Sequence, residues 1–283
     1  MSLKTSPVLR EIKRSRITQV SLAVALGYVF VAAFGPYLAP HDPTMIIGPP
    51  RQGPSADFLL GTDEIGRDLL SRLLLGARVA FMVAIVATSI GLVIGSIIGL
   101  VAAYFQRWTD SVLMRLMDVL LAFPGLLLAL SVITILGPGL TNAMIAIGIG
   151  GIPQYARLMR GEVLGLLNRD HVLAARSIGA RDLQIMLKHL IPFAIPTMLV
   201  YSTAQLARAV LTEAGLSYLG LGVQPPIPSW GGMIATGQQY FISTPMMGIL
   251  PGLAIMGFIF VLNILGDSLR DALDPHERGA GRR

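Results

Sequence analysis

Six long apolar runs constrain this chain more than any other feature of its sequence. Each is close to the length of about 20 residues that an α-helix needs to cross the hydrocarbon core of a bilayer. The predicted spans are 17–38, 79–105, 117–137, 140–159, 194–215 and 248–267. Only 13% of the residues are charged, whereas soluble domains carry about 25%. The sequence therefore predicts an all-α membrane protein with six transmembrane helices.

The first apolar run follows basic residues, as the hydrophobic segment of a secretory signal peptide also does. It extends over residues 17–38, whereas the apolar core of a signal peptide has about 7–15 residues. No cleavage site of small residues closes it cleanly. We therefore interpret it as a retained first helix.

The Lys and Arg residues predict an orientation. Most of the 22 basic residues fall in the N-terminal tail, the segments 106–116 and 157–190, and the C-terminal tail. Six crossings place all of these segments on one side, and the positive-inside rule makes that side cytoplasmic. We interpret the net charge of +6 as this topology signal and not as a nucleic-acid patch, because the basic residues flank apolar runs without interleaved aromatics.

The second run contains three glycines at four-residue spacing, namely Gly91, Gly95 and Gly99. Small residues repeated every fourth position line one face of a helix and allow another helix to approach closely. The pattern favours a packed face, although glycine is also common in membrane helices generally.

Two charged residues, Arg208 and Glu213, lie within the fifth run. Charges inside a membrane are costly and normally face a bundle interior or a water-filled cavity. Residues five positions apart are separated by about 140° around a helix, so these two need not pair. A pathway or gate role and a structural role both remain open, the latter with Glu213 reaching the outer interface.

Two segments on the predicted outer side, 39–54 and 220–232, are rich in Pro and Gly. Proline fixes the backbone and removes a donor, so such loops are stiff without being helical. The second segment supplies candidates for an outer gate or a surface that docks another protein: Gln224, Pro225, Pro226, Pro228, Ser229 and Trp230. The alternative for Trp230 is an anchor in the interfacial aromatic belt.

The sequence lacks the residues of several chemistries. There is no cysteine, and none of the three lysines follows the glycine-rich pattern of a nucleotide-binding loop. The four histidines are scattered without a zinc-binding spacing, and no acidic residue lies near the middle of a span, as ion coupling in a secondary transporter would require. We therefore predict no catalytic site, metal or cofactor in this chain, and a pore-forming subunit whose energy comes from another protein.

Residues 171–192, HVLAARSIGARDLQIMLKHLIP, form a charged segment between two apolar spans. Helical periodicity gives two short apolar ridges on either side of Gly179, which permits a backbone turn that a Cβ would hinder. The segment is predicted to be a helix–turn–helix knob on the surface. An amphipathic helix lying on the lipid interface is the alternative.

This segment resembles the cytoplasmic EAA loop of binding-protein-dependent ABC import permeases. Ala174, Ala175, Gly179 and Pro192 stand at the matching places, whereas Leu173 replaces the glutamate that names the motif. His189 stands at a place that is usually hydrophobic.

Four other segments resemble the C-type permeases of dipeptide, oligopeptide and nickel importers. They are LGTDEIGRDLLSRLLLGAR (60–78), AFPGLLLAL (122–130), YLGLGVQPPIPSWGGM (218–233) and LGDSLRDALDP (265–275). With the EAA-like loop, the resemblance covers residues from about 10 to 275.

The resemblance implies a subunit of a type I ABC importer in the plasma (inner) membrane of a bacterium or archaeon. A B-type permease would form the other half of the path, two ATPase subunits would bind ATP and Mg²⁺, and an extracytoplasmic binding protein would deliver substrate. Peptides are the expected substrates, with nickel chelates, glutathione-like compounds or opines as alternatives. An export permease, a channel, a secondary transporter and a membrane enzyme are the competing classes.

The resemblance also makes residues 171–192 the coupling helix that docks on the ATPase. The residues expected to take part are His171, Ala174, Ala175, Arg176, Ile178, Gly179, Arg181 and Asp182. Ala174, Ala175 and Ile178 would be buried against the ATPase, and the two arginines would pair with its acidic residues or with lipid phosphates. We divide the chain into residues 1–60, holding the tail, first helix and outer loop, and a permease core at 61–283 with its coupling loop at 160–192.

Overall fold

The computed structural model describes residues 16–273, and this part of the chain is helical, with one isolated β-bridge between Thr62 and Asp68. The helices are α1 (Arg16–Leu38), α2 (Leu69–Phe105), α3 (Arg107–Leu121), α4 (Gly125–Leu136), α5 (Leu140–Leu166), α6 (Asp170–Ser177), α7 (Asp182–Ile185), a π-helical turn (Met186–Leu190), α8 (Ile191–Tyr218), α9 (Trp230–Gln239) and α10 (Met246–Leu273). The predicted cytoplasmic ends of the chain, with most of their basic residues, lie outside the described residues.

Four segments of the described chain are long and apolar enough to cross a membrane. They are Thr18–Leu38, Leu69–Phe105, Asp182–Tyr218 and Met246–Asp271. The pair α3 and α4 would add a fifth if it is one span, but it is bent by 91°. By length and composition the described chain therefore has four or five spans, fewer than the six predicted.

The third predicted span, 117–137, is interrupted in the structure. Helix α3 ends at Leu121, and α4 begins at Gly125 after Pro124, which adopts an extended ψ of 131°. Proline has no N–H for the helix ladder and disfavours the helical conformation of the residue before it. The apolar run is continuous in the sequence, but the helix is not.

The fourth predicted span, 140–159, is part of α5, which has 27 residues but is not among the segments apolar enough to cross a membrane. Its polar residues include Asn142, Gln154, Arg157 and Arg160. The two arginines pair with α3, Arg160 with Asp110 through two contacts of 2.6 Å and Arg157 with Asp118 at 2.6 Å. Much of the polarity of α5 therefore faces other parts of the protein.

Helices α2 and α5 form the centre of the bundle, and the three spaced glycines of α2 face α5. A Cβ added at Gly95 would lie 2.5 Å from the Ile152 carbonyl oxygen and 2.6 Å from the Tyr155 Cβ. Gly91 lies against Tyr155 and Gly99 against the Ala156 carbonyl. The absence of side chains at these positions lets the two backbones approach closely.

A second core joins α1, α2, α8, α9 and α10 around Trp230. Its indole N–H donates to the Leu73 carbonyl at 3.1 Å, and its ring packs edge-on against Tyr28 and Phe258. Trp230 is only 2% exposed. It anchors helix packing inside the chain, so it is neither the exposed gate or docking residue nor the interfacial anchor that the sequence led us to expect.

The segment between α1 and α2, residues 39–68, folds into a compact loop around buried charges. Asp63 accepts from the side chain of Arg67 at 2.6 Å and lies 3.2 Å from Nε of Arg72. Asp68 caps α2 by accepting from the Ser71 N–H at 2.8 Å. The Gly66 carbonyl accepts from the N–H groups of residues 47 and 48. The predicted domain boundary at residue 60 therefore falls inside a single folded loop.

Candidate functional site

Residues 170–190 form a helix–turn–helix unit, which we call the 170–190 knob. Helix α6 ends at a turn in which Gly179 has a φ of +79°. The Gly179 N–H donates to the Arg176 carbonyl, and the Ala180 N–H donates to the Ala175 carbonyl. This pair of bonds is the Schellman motif, which favours glycine at the left-handed position. The predicted turn at Gly179 is confirmed.

The inner face of the knob is packed against the rest of the chain. Val172, Ala175, Ile185 and Leu190 are all buried in one hydrophobic cluster, which also contains residues of α2, α5 and α8. His171 is half-buried and stacks on Phe193, with ring centroids 4.5 Å apart. The sequence predicts Ala175 at the surface that meets the ATPase. In the structure it is buried within this chain, where it packs the knob against the rest of the bundle.

The outer face of the knob is apolar and exposed. Ile178 at the turn is 86% exposed, Leu183 is 63% exposed and Leu173 is 45% exposed, with Ala174 exposed beside them. Arg181 is also exposed and has no acidic partner among residues 16–273. The knob therefore combines a rigid base with an uncovered apolar tip.

A polar contact fixes the knob to the end of α2. The Tyr104 hydroxyl donates to the Asp182 carboxylate at 2.6 Å, and the guanidinium of Arg176 lies over the Tyr104 ring, 5.6 Å from its centroid. Arg176 and Asp182, both predicted to act in coupling, are thus brought together by a residue that the sequence did not single out.

A cavity of about 280 Å³ lies between α2, α4, α5 and α8. Its polar lining is formed by Thr88, Gln154, Tyr155, Gln205, Arg208 and Thr212. Gln205 links α8 to α5, because its amide nitrogen donates to the side-chain oxygen of Gln154 at 3.5 Å. The same nitrogen donates to the Tyr201 hydroxyl on its own helix at 2.8 Å. Thr88 lies about midway along α2, so the cavity is at the middle of the bundle.

The two charges of α8 are placed in different surroundings. Arg208 lines the cavity and is exposed in this chain. Glu213 is 1% exposed and accepts from the Ser217 hydroxyl at 2.6 Å. Ser217 in turn accepts from the Val223 N–H at 3.0 Å. Glu213 therefore ties the loop after α8 to the helix end, does not pair with Arg208 and does not reach the surface.

A second cavity, of about 240 Å³, lies between the 39–68 loop and the segment 217–236. Gln224 lines it together with Arg67 and Arg72, and the Gln224 amide is held by the carbonyls of Gly220 and Gly222. Pro226 is exposed and is not part of its wall. Of the residues predicted for an outer gate, Gln224, Pro225, Pro228 and Ser229 line this cavity, whereas Trp230 is in the core.

Sequence reasoning missed several polar residues at these places. Gln154 and Gln205 carry a visible signal, since amides are rare within apolar runs, and both face the central cavity. Tyr104 and Thr88 carry no local signal, because their positions depend on contacts between distant helices.

The family model of the binding-protein-dependent transport system inner membrane component matches residues 91–279. A second model, the N-terminal TM domain of oligopeptide transport permease C, matches residues 6–59. The chain belongs to this permease family. Family members are non-catalytic membrane subunits of ABC importers that work with a partner permease, an ATPase and a binding protein.

Named relatives align over most of the chain. The di/tripeptide transport system permease protein DppC of Pseudomonas aeruginosa is 44% identical over 266 residues, covering 92% of this chain and 88% of the relative. The glutathione transport system permease protein GsiD of Pectobacterium atrosepticum is 39% identical over 267 residues, covering 92% and 89%.

Solved structures show the same fold at lower identity. An inward-facing MetNI methionine ABC transporter superposes with a TM-score of 0.58 at 20% identity, covering 72% of this permease and 97% of that chain. An amino acid ABC transporter superposes with a TM-score of 0.55 at 18% identity, covering 71% and 94%. The bundle described above is therefore the permease fold of ABC importers.

Proposed function

We propose that this permease forms half of the translocation path of an ATP-driven importer for short peptides. A B-type permease would supply the other half, two ATPase subunits would bind ATP and Mg²⁺, and an extracytoplasmic binding protein would deliver substrate. The names of the DppC relatives support di- and tripeptides as substrates. Glutathione, itself a peptide, is the second candidate, because the GsiD relatives are named for it.

The observation that carries this proposal is the 170–190 knob. Its base is buried in the chain's own core, whereas its tip leaves Ile178 and Leu183 uncovered. Exposed apolar groups on a rigid base are typical of a surface that meets another protein. The chain contains no nucleotide-binding loop, so movement driven by ATP has to enter through such a contact.

We further propose six crossings with the knob and both chain ends in the cytoplasm. In this arrangement α3 and α4 together make one bent crossing, and α5 makes another despite its polar residues. The less apolar character of α5 fits its position, because it faces α2 closely and lines the central cavity with Gln154. The distribution of Lys and Arg supports the same orientation.

Replacing Ile178 by Asp tests the docking role of the knob. Ile178 is 86% exposed, so the substitution should leave the fold of this chain intact while placing a charge where the ATPase would bury an apolar group. We expect loss of ATP-dependent dipeptide uptake and loss of ATPase co-purification. Both are measured with the complete transporter in detergent and in proteoliposomes.

Ile242→Asp is the matched control, since Ile242 is fully exposed in the turn between α9 and α10, far along the chain from the knob. That variant should retain both ATPase and uptake. Normal uptake by the Ile178→Asp transporter, with normal assembly, would contradict docking through the knob.

A further inference from the structure

Arg208 is a charged group in the middle of the bundle without an opposite charge. No acidic side chain of the described residues lies within 4.0 Å of its guanidinium. It belongs to a segment that is otherwise apolar enough to cross a membrane. An intramembrane charge is costly unless it is paired or hydrated, so Arg208 has to be satisfied by water in the cavity, by a ligand or by a partner that supplies negative charge.

The nearest acid along α8 is not available to Arg208. Glu213 is 1% exposed, points into a different part of the core and is held by Ser217. Five residues of helix place the two side chains about 140° apart. Any negative charge that complements Arg208 therefore has to come from outside residues 16–273 of this chain.

A second, independent feature of the same cavity also points to a ligand. Thr88 is 8% exposed, and its buried hydroxyl has no hydrogen-bond partner in the described chain. A threonine within a helix commonly donates to the carbonyl four residues earlier, as Thr134 and Thr212 do here. A buried hydroxyl without a partner costs free energy, and Thr88 is in the wall of the cavity that Arg208 lines.

The remaining polar groups of the cavity suit a peptide. The amides of Gln154 and Gln205 can each donate and accept hydrogen bonds, as the N–H and C=O groups of a peptide bond require. Arginine presents a planar fork that binds a carboxylate through two parallel hydrogen bonds. A volume of about 280 Å³ is just below the range of about 300–1,000 Å³ for ligand pockets, which suits one end of a short peptide.

We propose that the central cavity is a transit site for the carboxylate end of the transported peptide. Arg208 binds the carboxylate, while Thr88, Gln154 and Gln205 hydrogen-bond to the adjoining peptide groups. The remaining wall is supplied by the partner permease. This proposal rests on the proposed function, since it assumes that peptides pass through this subunit.

The test compares two substrates with two transporters. Wild-type and Arg208→Gln complexes are reconstituted with the same binding protein, and uptake is measured for a dipeptide and for its C-terminal amide. Concentrations are chosen at which wild-type uptake of the amide is measurable. Because the binding protein is identical throughout, its own preference cancels from the comparison of the two ratios.

We expect Arg208→Gln to lower uptake of the free dipeptide by about tenfold or more, with little change for the amide. Arg78→Gln is the matched control, because Arg78 is another exposed arginine on an apolar helix and has no acidic partner in the described chain. It should leave the ratio of the two uptakes as in the wild type.

Equal loss for both substrates would overturn the carboxylate site. Failure of the Arg208→Gln complex to assemble would also overturn it, because Arg208 would then be pairing with the partner permease. If the wild type itself shows no ATP-dependent uptake of either peptide, the proposed function fails instead.

Thr88→Val gives an independent readout. If the Thr88 hydroxyl binds substrate, the variant should lose several-fold in uptake of both peptides. If it binds nothing, removal of an unpaired buried hydroxyl should raise thermal stability and leave uptake unchanged, which would contradict the proposal. Thr134→Val, at a hydroxyl that already donates to a helix carbonyl, is the control.

Discussion

Gly95 decides how closely the two central helices approach. Its Cα faces the backbone of α5, where the nearest atom to an added Cβ is the carbonyl oxygen of Ile152. A carbonyl within a helix cannot rotate away as the end of a side chain can, so a methyl group at residue 95 has to push the helices apart. The spacing of Gly91, Gly95 and Gly99 indicated such a face, but not which helix would pack on it.

Gly95→Ala should therefore destabilise the protein although alanine is the better helix former. We expect a cost of about 1–3 kcal/mol from overpacking, seen as a lower midpoint of thermal unfolding in detergent. Gly161→Ala is the control within α5, because no atom lies within 4 Å of its added Cβ. That change should leave the midpoint equal or higher, and the same result for Gly95→Ala would show that the close approach is not limiting.

The residue type of Trp230 does not indicate whether its side chain is buried in the protein or lies at the membrane interface. A tryptophan in a Pro-rich loop next to a span resembles an interfacial anchor in sequence. In the structure Ser229 instead begins α9 by capping it, with its hydroxyl accepting from the Gly232 N–H. The helix turns the indole inward to Leu73, Tyr28 and Phe258. Its burial follows from partners contributed by three other helices.

The sequence best predicts those features of the helices and turns that have a local cause. The turn at Gly179 follows from a glycine between two amphipathic segments, and the structure has it. The bend at Pro124 also has a local cause, yet the continuous apolar run around it favoured a single span. Hydropathy indicates whether a segment lies in lipid or in water, whereas the proline determines where its helix is interrupted.

The burial of Ala175 could not be obtained in the same way. On the sequence, Ala174 and Ala175 are equivalent small residues of one motif. The structure separates them, since Ala175 faces the cluster with Val163 and Leu190 while Ala174 is exposed. Which of two neighbouring alanines faces inward depends on how α6 is rotated against α5 and α8, and long-range packing sets that rotation.

The hydrogen bond between Tyr104 and Asp182 links α2 to the 170–190 knob. If the ATPase moves the knob, this bond would carry the movement to α2. Tyr104→Phe removes this hydrogen bond and keeps the ring under Arg176. We expect ATP hydrolysis to continue while less peptide is imported for each ATP consumed, because the knob is held less firmly to α2. Transport and phosphate release are measured on the same proteoliposomes.

Tyr37→Phe is the control for that experiment, since Tyr37 is 86% exposed near the end of α1 and loses no partner in the described chain. It should keep the wild-type ratio of peptide to ATP. If Tyr104→Phe also keeps the wild-type ratio of peptide to ATP, the hydrogen bond between Tyr104 and Asp182 has no role in coupling.

The contact between Tyr104 and Asp182 also limits how many times the whole molecule can cross the membrane. It joins the end of α2 to the start of the segment that continues into α8. The chain between residues 105 and 182 therefore begins and ends on the same side of the bundle. An even number of crossings in that segment, none or two, is what this contact favours, which with the four long apolar segments would give four or six crossings in total.

Labelling of single introduced cysteines with a thiol reagent distinguishes these two topologies. The chain has no cysteine of its own that would have to be removed first. Ser111, Thr141, Ser177 and Ser243 are exposed and lie at the ends of successive candidate crossings. With six crossings, Ser111→Cys and Ser177→Cys react with a thiol reagent only from the cytoplasm, whereas Thr141→Cys and Ser243→Cys react from outside. If Thr141→Cys instead reacts only from the cytoplasm, then α3, α4 and α5 do not cross and the protein has four spans. We expect six, because α5 packs against α2 at Gly91, Gly95 and Gly99, and a helix held along so much of a spanning neighbour has to cross beside it.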